Sequence, residues 1–562
     1  MEPSKNPLTK IKEKLSQMRR SAEERDSQRK AAKTGYPYAS LITAPINIEA
    51  LALIPQEVAQ KAKVAAFEIK EKKVALAVFD PSESEAKEVI EKLKSQGYES
   101  SIFVVSLGGL RHIWSFYKFV SEKPEEITGR IKIEEEKLAN LKKALISLET
   151  VKSSIQKLNT EISYAGEILE IILAGAMANR ASDIHFEPTE HFVKLRLRID
   201  GLLHDVFNEF KHDIFSHLLS RIKLLSGLKI NIHDKPQDGR FTIKFPEKEV
   251  EVRVVIAPSE FGEVVVMRLL DPETIGLSLN ELGLREDDLK IIEVELKRPN
   301  GLILNTGPTG SGKTTTLYAF LKHKKTPEIK IITIEDPIEY HLEGIEQTQV
   351  DEEAGYTFAN GLRSLMRQDP DVILVGEMRD KETAEIGIQS ALTGHLVFST
   401  LHTNNAAGAI PRLLDLELKA SSIGPALNLV IAQRLVRRLC QECKKPKEIS
   451  NELKQKIENL LAKVPNRVNK DKFKNIQIFE PVGCPKCNGF GYKGRIAIYE
   501  LLLVGPEMED LITSQAGEPK IQKFALEQGM ITMQQDGILK VISGITTFEE
   551  VEGITGPIEE LL

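Results

Sequence analysis

The chain has 562 residues, a net charge of −6 and 41% hydrophobic residues, a composition typical of soluble globular proteins. This length excludes a single hydrophobic core and predicts about three or four domains. No apolar run of about 18 residues occurs and the N-terminus lacks the apolar stretch of a signal peptide, so we expect a cytoplasmic protein without a membrane span.

A basic arm comes first. Residues 1–34 carry ten Lys or Arg against five Asp or Glu, and we interpret 1–38 as a flexible or partly helical arm. Two roles fit its charge equally: a solvated tail, or a contact with anionic lipid or an acidic partner.

Residues 39–122 have the pattern of a small α/β domain. A helix is predicted to begin at Pro55, followed by strands at Val64–Ile69 and Lys73–Phe79. A helix at Glu83–Gln96 and a strand at Ser101–Ser106 complete the prediction.

The segment 123–160 is predicted to be a linker. Apolar residues recur there at steps of three and four, which indicates one helix from Ile131 to Leu158. A coiled-coil strut is the alternative, but the seam is short, which favours a linker helix packed on its neighbours. The residues of this seam are Leu138, Leu141, Leu145, Leu148, Val151, Ile155 and Leu158.

A second α/β domain is predicted over 161–285, with a helix at Ala165–Asn179 and a strand at Phe192–Ile199. Asp200-Gly201 then signals a hairpin turn. In the last domain, 286–562, strands and helices alternate to about residue 440, the pattern of a parallel sheet. The final 120 residues are expected to be mostly helical.

The most informative segment is the glycine-rich stretch 307–315, which follows an apolar run at 301–305; we call it the phosphate loop. Its glycines let backbone N–H groups turn toward phosphate oxygens, and the N-terminus of the next helix adds partial positive charge. Lys313 is expected to reach the outer phosphates, and the Thr314 hydroxyl to bind Mg²⁺. The sequence therefore predicts a nucleoside triphosphate site. Its loop residues are Gly307, Pro308, Thr309, Gly310, Ser311, Gly312, Lys313, Thr314 and Thr315.

Acidic residues and histidines follow later strands. Glu335, Asp336 and Glu339 come after the predicted strand Lys330–Ile334, and Glu377 ends an apolar run where many nucleotide hydrolases hold the Mg²⁺ shell. Two further candidates, His395 and His402, flank another predicted strand, as phosphate-sensing groups would, although a single histidine is more often structural.

All four cysteines lie in the last quarter of the chain, as the pairs Cys440/Cys443 and Cys484/Cys487. Both pairs have CxxC spacing, and four thiolates are a complete ligand set for tetrahedral Zn²⁺. A reducing compartment argues against disulfides. We therefore predict a closed structural zinc element at 440–487; reduced, unbound cysteines are the alternative.

Taken together, the phosphate loop and the clusters after it resemble the Walker A, Asp box, Walker B and His box of the secretion ATPase superfamily, in this order. Specifically, the chain resembles the assembly ATPases of type IV pili and type II secretion. Ala181–Pro188 and Gln237–Arg240 look like signatures of the family's second N-terminal domain, and Leu53–Val58 looks like the entry to its first. Assembly ATPases carry the four-cysteine element, which retraction and conjugation ATPases generally lack, so the resemblance implies an extension motor.

The resemblance implies an α/β fold: a RecA-like parallel-sheet P-loop ATPase core after two smaller α/β domains, with a helical C-terminal region carrying the zinc element. It also implies roles. Glu339 would polarise the attacking water and Glu377 would hold Mg²⁺ together with Thr314, although the opposite division stays open. His402 would lie near the γ-phosphate, and His395 would support it or the neighbouring strand.

Three arginines, Arg240, Arg253 and Arg268, match family arginines that swing over the nucleotide; ordinary strand-surface arginines are the alternative. The first domain lacks the repeated Arg/Leu/Gly pattern by which some relatives bind a cyclic dinucleotide, so no such ligand is assigned.

The implied cofactors are ATP, Mg²⁺ and Zn²⁺. The implied assembly is a homo-hexamer at the inner face of the cell membrane, driving a polytopic platform protein that lifts pilin-like subunits, with an adaptor at the first domain. Alternatives are a DNA-uptake or conjugation-type traffic ATPase, and a nucleotide-responsive binding module with little turnover. No basic, aromatic-interleaved face suggests nucleic acid. Pilus, secretion and DNA-uptake systems are not distinguished.

Overall fold

The computed structural model describes residues 23–41, 46–70, 72–95, 97–117, 130–132, 141, 144–159, 164–244, 249–272, 276–473 and 476–558. The chain divides into two compact units, Met1–Thr128 and Gly129–Leu562. Within the described ranges, no helix is long and apolar enough to cross a bilayer.

The first unit has the predicted α/β pattern. Its elements are helix α1 (23–34), α2 (Ile48–Ala52), α3 (Gln56–Lys61), strands β1 (Val64–Lys70) and β2 (Lys73–Val78), α4 (Ser84–Ser95), β3 (Glu99–Val104) and α5 (Leu107–Trp114). Strand β2 pairs antiparallel with β1 and parallel with β3.

Part of the predicted basic arm belongs to this unit. In α1, Ser27 and Ala31 are buried, and the Lys30 ammonium lies 3.6 Å from the centre of the Phe79 ring. A solvated tail is therefore wrong for 23–34, because one side of this helix packs on the domain. Residues 1–22 of the arm lie outside the described residues.

The second unit begins with strand β4 (Arg130–Lys132). It continues with α6 (Leu148–Leu158), α7 (Ala165–Ala178), β5 (Ala181–Pro188), β6 (Val193–Ile199), β7 (Leu202–Phe210), α8 (His212–Leu225), β8 (Gln237–Lys244), β9 (Glu249–Ser259) and β10 (Gly262–Leu270). The strands form one sheet in the order β4-β8-β9-β10-β5-β6-β7. Helices α6, α7 and α8 supply one side of the core that the inward residues of this sheet complete.

The single helix predicted from Ile131 to Leu158 is wrong. Ile131 lies in β4, which pairs parallel with β8, and Ser147 starts a new helix as its N-cap. The Ser147 hydroxyl accepts a hydrogen bond from the Thr150 backbone N–H at 3.2 Å, which satisfies a donor that no preceding turn can serve. Val151 and Ile155 of α6 are fully buried in the second-domain core, so this helix is packed as the linker interpretation expected.

A second seven-stranded sheet follows. After α9 (Glu286–Lys297) come β11 (Gly301–Thr306), α10 (Lys313–Lys324), β12 (Ile331–Glu335), β13 (Glu346–Gln349), α11 (Phe358–Leu365), β14 (Val372–Val375), α12 (Lys381–Leu392), β15 (Leu396–Leu401), α13 (Ala409–Asp415), α14 (Ala420–Ala426) and β16 (Leu427–Leu439). The strand order is β13-β12-β14-β15-β11-β16 with β19 at the edge. Six strands are parallel, as predicted, because helices connect them on both faces.

The C-terminal region is less helical than predicted. It contains β17 (Lys445–Lys447), α15 (Asn451–Lys463), β18 (Ile478–Glu480), β19 (Tyr492–Leu503), α16 (Pro506–Thr513), α17 (Glu518–Glu527), α18 (Met533–Ile542) and α19 (Phe548–Thr555). Strand β19 pairs antiparallel with β16 along most of its length. Its apolar run is continuous because both sides of the strand are covered, so it lacks the alternation that marks a strand in sequence.

Candidate active site and cysteine centre

The carboxyl ends of neighbouring parallel strands bring the predicted residues together. The phosphate loop leaves β11, His402 follows β15, Glu377 follows β14, and Asp336 and Glu339 follow β12. All four strands end at one edge of the sheet, where ligands of such sheets bind.

The phosphate loop has the backbone that its glycines predict. Gly312 has φ +90°, and a Cβ there would lie 2.8 Å from the Gln433 amide nitrogen, so a side chain is excluded both by conformation and by space. The Ser311 hydroxyl is buried without a hydrogen-bond partner, and α10 begins directly after the loop. An orphaned hydroxyl beside a helix N-terminus fits a phosphate ligand.

Lys313 sits inside this loop. Its ammonium donates to the carbonyl oxygens of Gly307 at 2.6 Å and Pro308 at 3.2 Å. Burial lowers the pKa of Lys313 to about 8, with a smaller opposing effect from the Glu377 carboxylate. A cation held on two weak carbonyl acceptors gains strongly from an anionic partner, so this side chain is suited to phosphate.

Glu377 joins the groups near the loop. Its carboxylate forms an ion pair with Arg379 and lies 3.5 Å from Nε2 of His402. Burial, and next the nearby Lys313 charge, lower the pKa of His402. The imidazole is therefore neutral at neutral pH and has a single N–H to donate.

The structure does not bring His395 to this edge, so of its two predicted roles, support of the neighbouring strand fits its position and support of His402 does not. His395 precedes β15 whereas His402 follows it, and six extended residues span about 20 Å. Its Nδ1 lies 3.0 Å from the Ser390 carbonyl oxygen, so the ring stabilises the turn that enters the strand. Sequence spacing alone could not tell the two ends of the strand apart.

Glu335, predicted to contact the nucleotide, is buried instead. Its carboxylate accepts hydrogen bonds from Thr333 at 2.5 Å, from Gln347 at 3.3 Å and from the Tyr318 hydroxyl. Successive strand residues point to opposite sides, so Glu335 at the end of β12 faces α10 while the exposed Asp336 faces the site edge. Burial raises the pKa of Glu335. Its contacts hold α10 against β12.

The three predicted arginines form one cross-strand row of the second domain. Arg240 on β8 is directly opposite Arg253 on β9, which is opposite Arg268 on β10. Like charges at opposed positions destabilise a sheet unless an anion neutralises them. We call these three residues the arginine row.

Among the described residues, Arg253 is the member of the row that hydrogen-bonds to the ATPase domain. Arg253 donates to the Ile338 carbonyl oxygen at 2.5 Å and to the Glu339 carboxylate at 3.3 Å. Arg268 is bound by Asp183 at 2.9 Å, and Arg240 is exposed. The second domain thus reaches the acidic residues beside the phosphate loop through Arg253.

Sequence reasoning missed Gln433 and Arg434 on β16. The Gln433 side-chain oxygen accepts from Asn305 at 3.0 Å and from Thr316 at 2.8 Å, which joins β11 and α10 beneath the loop. Arg434 donates to the Asn404 carbonyl oxygen at 3.0 Å, just beyond His402. The only signal was a polar pair interrupting the apolar run 429–432.

The cysteines form the predicted cluster. All four sulfur atoms lie within 4.8 Å of one another, with separations of 3.9 Å for Cys440–Cys484, 3.8 Å for Cys443–Cys487 and 3.7 Å for Cys484–Cys487. Four thiolates at the Zn–S bond length of tetrahedral zinc sites would be separated by about 3.8 Å. The donor set and its spacing therefore fit Zn²⁺.

Backbone groups support the cluster. Burial alone would raise the pKa of Cys487, but hydrogen bonds from the backbone N–H of Cys484 and Gly491 outweigh it and lower the pKa to about 7. Those bonds measure 3.2 Å and 3.3 Å. A thiol with a low pKa is ready to ligate a metal as the thiolate.

Comparison with known proteins matches most of the second unit and most of the first. Residues 160–553 match the family described as "Type II/IV secretion system protein", and residues 34–111 match the MshEN domain. The chain belongs to the type II/IV secretion system protein family.

Its relatives agree with this assignment. The type IV pilus assembly ATPase PilB of Myxococcus xanthus is 38% identical over 532 residues, which cover 93% of this chain and 89% of that relative. The type II secretion system protein E of Dickeya dadantii is 45% identical over 388 residues, 69% of this chain and 75% of the relative. This secretion protein is therefore a P-loop ATPase.

One solved structure shares the fold. The ATPase DotB of Yersinia pseudotuberculosis aligns with a TM-score of 0.51 and 19% identity, over 69% of this chain and 93% of that one. At this identity the likeness concerns the fold alone. It is consistent with the parallel-sheet core predicted from the sequence.

We expect ATP affinity of the secretion ATPase to fall at alkaline pH. The free Lys313 has a pKa of about 8, and phosphate must raise it because the charged form is the one that binds. Affinity is then level below pH 8 and falls as the pH rises above it, about tenfold between about pH 7 and 9. Calorimetric titration across this range checks it. In Lys313→Arg, whose charge does not titrate, the residual affinity should be independent of pH; a wild-type affinity that stays level to pH 9 would contradict the prediction.

The two histidines should behave differently. We expect His402→Ala to reduce the preference for ATP over ADP by roughly 3- to 10-fold, the value of one hydrogen bond to the terminal phosphate. His395→Ala is the matched control and should keep the wild-type preference, because its ring lies at the opposite end of β15. Binding constants for both nucleotides measure this. An unchanged ratio in His402→Ala would remove the sensor role.

Proposed function

We propose that the protein is a motor that couples ATP hydrolysis to movement of its second N-terminal domain and thereby drives assembly of a pilin-like filament. The observation that carries the proposal is the contact of Arg253 with Glu339 and Ile338. Through this contact, closure of the second N-terminal domain would bring the Arg253 guanidinium to the site of hydrolysis in the ATPase domain.

Each side chain has a task that its contacts support. Lys313 binds the outer phosphates and compensates their charge, which is the main catalytic device of phosphoryl transfer. Glu339 orients and polarises the attacking water, and Arg253 stabilises charge that builds up in the transition state. His402 donates a hydrogen bond to the terminal phosphate, and its 3.5 Å contact with Glu377 couples phosphate binding to that carboxylate.

Magnesium would be held by the Thr314 hydroxyl and, through water, by Glu377. Oxygen ligands of this kind suit Mg²⁺, and Glu377 follows β14 at the sheet edge where the phosphate loop leaves β11, which supports this role. When bound, the metal supplies Lewis-acid stabilisation of phosphate charge. The exchange of roles between Glu339 and Glu377 remains open to experiment.

The filament assignment follows the relatives, which are named for type IV pilus assembly and for type II secretion. We propose a homo-hexamer, cytoplasmic and peripheral at the inner membrane, that acts on a polytopic platform protein, with the first domain binding an adaptor. The DNA-uptake or conjugation alternative gains no support from these relatives. A nucleotide-responsive module without turnover is separated from the motor by the next experiment.

Glu339→Gln should retain ATP and Mg²⁺ binding but lower turnover by at least about 100-fold, because an amide polarises water poorly. Glu377→Gln should weaken Mg²⁺ binding and therefore raise the Mg²⁺ concentration needed for turnover. Phosphate release and ATP binding by the purified variants measure both effects. If Glu339→Gln hydrolyses ATP normally while Glu377→Gln binds ATP without cleaving it, then Glu377 polarises the water and Glu339 holds Mg²⁺.

The motor role is tested in the host with the same Glu339→Gln allele in place of the wild type. Surface filaments and secreted proteins are measured together, since loss of one or the other tells a pilus system from a secretion system. If hydrolysis is abolished in vitro while filaments and secretion both stay at wild-type levels, the protein does not drive either process.

We expect Cys484→Ser to release one zinc per chain while ATP binding stays within about twofold of wild type, because the cluster lies outside the phosphate loop. A site with four thiolates is closed and structural. Metal analysis and thiol alkylation check it. Four freely alkylated cysteines in the native protein, without prior chelation, would contradict the zinc assignment.

A further inference from the structure

The second cysteine pair lies in a turn that contacts the second N-terminal domain of the same unit. We call residues 484–491 the second knuckle. Two of its side chains, Asn488 and Phe490, contact that domain.

Asn488 forms the central contact. Its side-chain nitrogen donates to the Asn179 side-chain oxygen at 2.9 Å, and its side-chain oxygen accepts from the Leu148 backbone N–H at 3.1 Å. Asn179 in turn donates to the Leu145 carbonyl oxygen at 3.0 Å. One asparagine thus binds the end of α7 and the start of α6 together.

Phe490 forms the second contact. Its ring stacks on the imidazole of His204 on β7, with centroids 4.0 Å apart and planes at 24°. Just beyond the knuckle, the Gly494 backbone N–H donates to the Asp200 carboxylate at 2.8 Å, at the β6–β7 turn. Three contacts of different kinds therefore hold the same domain.

The shape of the knuckle depends on the cysteine cluster. Asn488 has φ +53° and follows Cys487 directly. A Cβ at Gly483 would lie 2.4 Å from the Gly489 carbonyl oxygen, and one at Gly491 would lie 2.4 Å from Pro481. Cys484 and Cys487 both lie in this turn, so a metal bound to the four thiolates would fix its shape, as metal binding does in small metal-binding elements.

We propose that the second knuckle is a docking surface for the second N-terminal domain and stabilises the closed arrangement, in which Arg253 contacts Glu339. Asn488 and Phe490 are positioning residues: they contact neither nucleotide nor reacting atoms. The inference rests on the proposed role of Arg253. It adds a function to the zinc element, which sets the alignment of two domains across the active site.

The magnitude follows from geometry. Displacement of a catalytic group by about 1 Å can lower a rate about 100-fold, and the second knuckle contacts β7 of the sheet that carries Arg253. The double variant N488A/F490A should therefore lower kcat by about 10- to 100-fold and leave KM for ATP nearly unchanged, because the phosphate loop is intact. Its zinc content should equal that of wild type.

Hydrogen exchange gives a readout that does not depend on activity. In the full-length protein, the Leu148 and Gly494 amides should exchange faster in N488A/F490A, and faster in wild type after zinc is removed with a chelator. Removal of zinc should lower kcat of the wild type to the level of the double variant and should not lower the double variant further. Lys486→Met is the matched control, since Lys486 is in the same knuckle but pairs with Glu442.

Two outcomes would overturn the inference. One is wild-type kcat in N488A/F490A despite fast exchange at Leu148; the other is faster exchange confined to the knuckle after chelation. The variant Arg253→Ala distinguishes failure of the knuckle inference from failure of the proposed function. If Arg253→Ala turns over normally, the proposed role of the arginine is wrong; if it is slow while N488A/F490A is normal, only the dock is wrong.

Discussion

Parallel strands all end on one edge of a sheet, and this constraint places the reacting groups of the protein. The phosphate loop, His402 and Glu377 leave three adjacent strands, β11, β15 and β14. Residues nearly a hundred positions apart in sequence therefore share one small region. The buried Gln433 stabilises it from below by joining β11 to α10.

The second N-terminal domain presents arginines to this region, and the register of its antiparallel sheet aligns them. Opposed positions on β8, β9 and β10 align Arg240, Arg253 and Arg268 in one row. Asp183 neutralises Arg268, while Arg253 pairs with Glu251 of its own domain at 3.4 Å and with Glu339 of the ATPase domain at 3.3 Å. The contact with Glu339 adds a carboxylate to the row, which lowers the repulsion between its like charges.

The cysteine cluster lies beside a second set of contacts between the same two domains. Its sulfur atoms are spaced for a metal, and the turn that carries two of them also carries the contacts to α6, α7 and β7. A small polar element with few apolar residues becomes a rigid surface only when ligands cross-link it. Metal binding and domain alignment therefore depend on the same eight-residue turn.

The sequence by itself determined the phosphate loop, the acidic residue Glu377, His402 and the four-cysteine cluster, because their chemistry needs fixed residue types at short, fixed spacings. It also predicted the parallel core and the β6–β7 hairpin, whose signals are local. Only the tertiary structure decided which end of a strand faces the nucleotide, and so separated His402 from His395. It also decided that Glu335 points into the core, that Ser147 begins a new helix after a strand at Ile131, and that Gln433 and Asn488 matter. The contacts of Ile131, Gln433 and Asn488 join residues more than a hundred positions apart, and no local pattern encodes which partner a strand face or a turn will meet.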